Sequence, residues 1–204
     1  MTPLTLISFG LAMFLLAASP GPGVFATVAR ALASGFSHAA VLVLGIVLGD
    51  LIFLLLAIYG LSAIADLLGN FFTLVKCVGG LYLIWLGIQI WRTPAAPDQV
   101  TGTVELSWKK NFSSGLIITL ANPKVILFYL GFLPAFVELS ALTTMDVLLI
   151  AAVVVVVLSS VLLSYAWAAS QTGRFFKTQS SFRLLNRCAG GTMVTVGCAI
   201  LLKE

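Results

Sequence analysis

Apolar residues in this chain run in blocks too long for the interior of a soluble domain. A membrane-spanning helix needs about 20 mostly apolar residues. Stretches of that kind occur at Leu4–Ala29, Ser37–Tyr59, Leu68–Trp91, Asn111–Val137, Asp146–Ser170 and Leu184–Leu202. They predict six transmembrane helices. Polar residues are confined to the connections, chiefly Arg92–Lys110, with Pro94, Pro97 and Gly102, and Gly173–Arg183. Neither connection is long enough to fold alone, so residues 1–204 read as one all-α, polytopic transmembrane domain.

Composition agrees. The chain is 60% hydrophobic and 9% charged, with mean hydropathy +1.13, where soluble domains carry about 25% charged residues. The net charge of +4 comes with no basic face interleaved with aromatics, which argues against nucleic acid. Cys77, Cys188 and Cys198 lie inside apolar runs, and His38 is the only histidine. No metal-ligand spacing results, no cofactor is implied, and the thiols read as buried and structural. Leu4–Ala18 resembles a secretory signal in length, but no Lys or Arg precedes it and Pro20-Gly21-Pro22 crowds the cleavage point. A first membrane helix is the better reading.

Charge sets the expected orientation. The loops after helices one, three and five hold Arg30, then Arg92, Lys109 and Lys110, then Arg174, Lys177 and Arg183. The opposite loops hold Asp66, Glu138 and Asp146. The cation-rich side is expected in the cytoplasm, which puts both termini outside.

The chain also repeats itself. Lys76-Cys77-Val78-Gly79-Gly80 in helix three parallels Arg187-Cys188-Ala189-Gly190-Gly191 in helix six. Ala18-Ser19-Pro20 in helix one parallels Ala121-Asn122-Pro123 in helix four, each with Phe five residues beyond the proline (Phe25, Phe128). Two halves of three helices follow, about 1–92 and 111–204, joined by a cytoplasmic loop at about 92–110. Three crossings per half is odd, so the halves are expected to be inverted in the bilayer, each with a broken first helix.

Candidate chemistry gathers at the breaks. Ser19-Pro20-Gly21-Pro22-Gly23 removes two backbone donors inside the first apolar block. The expected arrangement is a discontinuous helix with Ser19 as N-cap and Pro20 at the first position of the second half. Asn122-Pro123 repeats it. Broken backbone at membrane depth lines a cavity or is buried in protein, and half-helix N-termini suit a carboxylate. Asp50, near the middle of helix two, must face the bundle interior. Gly45 and Gly49 just before it form a small surface for close helix approach. Lys124 can pair with Asp50, bind an anionic group, or snorkel to one face. No catalytic constellation or phosphate-binding loop is present, so an enzyme is not expected.

Pro20-Gly21-Pro22, Gly45 and Gly49, Gly80-Leu81-Tyr82-Leu83 with Leu86-Gly87, and Asn122-Pro123-Lys124 with Phe128 and Pro134 resemble the LysE/RhtB family of bacterial amino-acid exporters over nearly the whole chain. The resemblance implies export of amino acids or close derivatives across the cytoplasmic membrane, driven by the proton gradient. It also implies a transport path flanked by Pro20, Pro22, Asn122, Pro123 and Lys124, with a homodimer left open. Many members follow PGP with Asn, where this chain has Gly23. A divalent-cation exporter of related architecture would need more membrane acids than Asp50. A thiol–disulfide carrier would need cysteines at the breaks, and a non-transporting membrane protein leaves the paired breaks unexplained.

Overall fold

The computed structural model describes residues 1–65 and 107–171 continuously, with isolated helical positions between 77 and 92 and between 187 and 201. Most of expected helices three and six, the 93–106 part of the central connection, and Gly173–Arg183 lie outside the described residues.

The first half opens with α1 (Pro3–Ala18). Its N-cap Thr2 accepts a hydrogen bond from the Thr5 N–H, with Pro3 in the first turn, where a missing donor costs nothing. The chain breaks at 19–21 and resumes as α2 (Pro22–Ala65), two helical stretches joined by a kink at Gly35. Gly35 has φ +83°, and nothing lies within 4 Å of where its Cβ would be. Glycine is there for conformation, not for space. The second half begins with α3 (Trp108–Leu120), capped by Ser107. After Ala121-Asn122 the chain continues as α4 (Pro123–Leu127), a π-helical turn (Phe128–Phe132) and α5 (Leu133–Phe136). Pro134 cannot donate to the Leu130 carbonyl, so the ordinary ladder fails where the wide turn sits. The axes before and after 121–122 differ by 52°. α6 (Thr144–Gln171) starts from a reciprocal cap, in which the Thr143 N–H donates to Asp146 and the Asp146 N–H to the Thr143 hydroxyl.

Within the described residues, Pro22–Gly60 and Thr144–Gln171 are each long and apolar enough to cross a membrane, and the bent Trp108–Gly131 pair makes a third candidate span. α1 is a shorter apolar helix.

Glycine holds the core together where α2 crosses α3. A Cβ on Gly45 would run into the Phe112 carbonyl, and one on Gly115 into the Leu42 carbonyl. At Gly49 a Cβ would lie 2.8 Å from the Thr119 Cβ. The small-residue surface expected before Asp50 therefore exists, and its partner is α3. This crossing carries Asp50 onto the level of the second break. The expected burial of the thiols is not borne out at Cys77, which is exposed; Cys198 is intermediate. A helix position that faces lipid is both apolar in sequence and uncovered by protein.

Candidate functional site

The two breaks meet. Ser19 is not the N-cap expected of it. It is the C-cap of α1, with its N–H bonded to Leu15 and Leu16 carbonyls and its hydroxyl donating 2.7 Å to Leu16 O. Its extended ψ of 127° is what a residue preceding proline prefers, and since the next helix starts only at Pro22, Ser19 closes one helix without capping the other. Pro22, not Pro20, takes the first helical position, and the Phe25 N–H bonds to Gly21 O at 2.9 Å. Gly21-Pro22 is thus the counterpart of Asn122-Pro123, where the Asn122 side chain accepts from the Lys124 N–H at 3.1 Å. The Phe25/Phe128 correspondence does not survive that shift: Phe25 is 45% exposed and Phe128 fully buried.

The N-terminal turn of α2 is open. Pro22 has no N–H, so the N–H groups of Gly23 and Val24 precede the first intrahelical bond and lack an intrahelical acceptor. Both residues line a narrow cleft with a free volume of about 40 Å³. Asp50, Thr119, Asn122 and Lys124 supply its polar wall, and side chains such as Met13, Ile46 and Leu162 its apolar one.

Asp50 is 2% exposed, as its mid-helix position demanded. Lys124 is 6% exposed, and two of the arrangements expected of it are not found. It neither snorkels nor forms an ion pair with Asp50, and its ammonium is engaged by backbone and hydroxyl oxygens. Its Nζ donates to Leu16 O at 2.8 Å, Ser19 O at 2.9 Å and Ser19 Oγ at 2.7 Å. Those acceptors form the C-terminal end of α1, where helix carbonyls lack partners and the dipole is negative. Gly21 passes so near that a Cβ there would sit 3.3 Å from Lys124 Nζ.

Of the predicted residues, Gly21, Gly23, Asp50, Asn122 and Lys124 line the cleft. Ser19 reaches it through Lys124. Pro22 and Pro123 are exposed on the outer side of their helices, while Pro20 is buried in the break. Three further residues belong to the site. Thr119 is a cleft wall. Tyr129 is 1% exposed, with its hydroxyl beside Asp50 and no partner at hydrogen-bond distance. Tyr165 of α6 donates 2.8 Å to Ala18 O, a second side-chain cap on α1. A signal for Tyr129 was available: it lies two helical turns beyond Asn122 and so on the same face.

Comparison with known proteins follows the same lines. The family model described as LysE type translocator matches residues 14–204. An uncharacterized membrane protein of Synechocystis sp. is 36% identical over 193 residues, 95% of this chain and 93% of its own length. A homoserine/homoserine lactone efflux protein of Salmonella typhi is 30% identical over 91% of this chain and 90% of its own. A leucine efflux protein of Enterobacter sp. is 27% identical over 84% and 82%. No solved structure matches. The chain belongs to the LysE type translocator family, and is a multi-pass membrane transporter and not an enzyme.

Proposed function

We propose that this chain is a secondary transporter that exports amino acids or close derivatives from the bacterial cytoplasm, with Asp50 as the coupling acid of a proton antiport. The observation that carries the reading is a single carboxylate, buried on α2, that opens onto a cleft at the meeting point of two helix breaks. An acid is costly at that depth unless it has a task. The open N–H groups of Gly23 and Val24 suit a substrate carboxylate. The apolar wall suits an uncharged side chain, in keeping with relatives named for leucine and for homoserine or its lactone.

Six helices in two inverted halves remain the proposed architecture, since a fixed site between inverted repeats is what alternating access needs. Both termini are placed outside, on the charge bias of the loops. The divalent-cation alternative draws no support from the described residues, where no group of three or more potential metal ligands is found.

The test is uptake into inverted vesicles from cells making the protein, against a panel including leucine, homoserine and homoserine lactone. Uptake of at least one compound, abolished by collapsing the pH gradient, is expected. Uptake of divalent cations alone would overturn the proposal.

A further inference from the structure

We propose that Lys124 is a positioning residue that ties the end of α1 to the first turn of α4, and not a ligand for substrate. The inference rests on reading the cleft as the transport site. An ammonium has three protons, and here each has an acceptor within 2.9 Å: Leu16 O, Ser19 O and Ser19 Oγ. To take a substrate carboxylate, Lys124 would have to abandon a buried carbonyl of Ser19, for which no other donor is present among the described hydrogen bonds. The residue facing the ammonium across the break, Gly21, has no side chain to push it out of place.

The tie is not local. Lys124 and Ser19 are 105 residues apart, so one contact joins the break of the first half to that of the second. Tyr165 holds the neighbouring Ala18 carbonyl from α6. The cut end of α1 is therefore fixed from two sides. With that end fixed, the α2 N-terminus that follows three residues later keeps its open N–H groups on the cleft. A residue acting this way governs how fast the broken helices move together, without reading the substrate's charge.

The experiment uses the full chain in proteoliposomes, with Cys77, Cys188 and Cys198 replaced by Ser. It compares Lys124→Met with Lys124→Cys before and after aminoethylation, which restores an ammonium at nearly the same reach. Exchange is measured for leucine and for leucine methyl ester, which keeps the amino group and side chain but has no carboxylate. The expected result is a fall in maximal rate of about tenfold or more, equal for both compounds, with half-saturation little changed. Aminoethylation restores the rate for both. A rise in half-saturation of about tenfold for leucine alone would make Lys124 a carboxylate ligand and overturn the proposal. Unchanged rates for both would overturn it too.

Hydrogen exchange separates failure of the tie from failure of the transport reading, because it requires no substrate. Amides in the last turn of α1 should exchange about tenfold faster in Lys124→Met, with α6 unaffected, and recover on aminoethylation. Unaltered exchange there would overturn the tie even if transport is confirmed. If Lys124→Met fails to insert, Ser19→Ala carries the test, since it removes one acceptor and no charge. It should loosen the same turn and slow both compounds equally, and wild-type behaviour in both measurements would end the proposal.

Discussion

Asp50 and Lys124 line the same cleft, both more than nine-tenths buried, and do not form an ion pair. Two opposite charges in one low-dielectric site normally find each other, because an unpaired buried charge is expensive. Lys124 is engaged by the end of α1, which leaves Asp50 facing the cleft. Asp50→Asn keeps the shape and removes the charge. Transport driven by a pH gradient in proteoliposomes should fall by about a hundredfold, while substrate-for-substrate exchange stays within about threefold of wild type. Loss of both modes would make Asp50 a substrate ligand or a structural acid.

The crossing of α2 and α3 should tolerate no added carbon. At Gly115 a Cβ meets backbone, the Leu42 carbonyl, and backbone cannot swing aside. Gly115→Ala should destabilise the protein by about 1–3 kcal/mol or more, read as a lowered midpoint of thermal unfolding in detergent. Gly60, also in α2, has nothing within 4 Å of its Cβ position. Gly60→Ala should be neutral or raise the midpoint, since alanine favours helix over glycine by about 0.8–1.0 kcal/mol.

How far the sequence foretold this site depends on whether each interaction is local. The breaks were legible because proline and glycine act on their own backbone. Asp50 was legible because depth in an apolar block leaves an acid one direction to face. Gly45 and Gly49 announced a close crossing, though not its partner. Ser19 is ambiguous in sequence because serine before proline serves either as an N-cap or at a helix end. The choice rests on the second proline, Pro22, which moves the helix start downstream. The contacts of Lys124 were out of reach, since two of its three acceptors are carbonyls at the end of a helix more than a hundred residues away. Carbonyls leave no mark in a sequence.

Tyr165 offers a milder probe of the same helix end. Its hydroxyl is its link to Ala18 O, at 2.8 Å, and Tyr165→Phe removes that donor while keeping the ring. The expected loss is about 0.5–1.5 kcal/mol of stability, the usual net worth of one hydrogen bond, measured by unfolding in detergent. Exchange transport should slow for every substrate by the same factor. A change confined to one substrate would place Tyr165 in the specificity wall instead.

The orientation of the protein can be tested from two sets of contacts that the charge bias of the loops assigns to opposite sides of the membrane. The Met1 ammonium lies 2.7 Å from Asp146 Oδ1, which puts the start of α1 beside the connection that leads into α6. In the second set, His38 stacks on Trp108 with ring centroids 4.3 Å apart and lies 2.9 Å from the Asn111 amide. The turn at Gly35 therefore sits beside the start of α3, and Arg30, Lys109 and Lys110 gather there. Cations accumulate on the cytoplasmic side of short loops, so the Gly35 face should be inside and the Asp146 face outside. Ala141 and Ser37 are exposed, one on each face. In a background lacking the native thiols, Ala141→Cys should react with a membrane-impermeant thiol reagent in intact cells. Ser37→Cys should react only after the membrane is opened. The opposite pattern would invert the topology and, with it, the side from which the cleft is loaded for export.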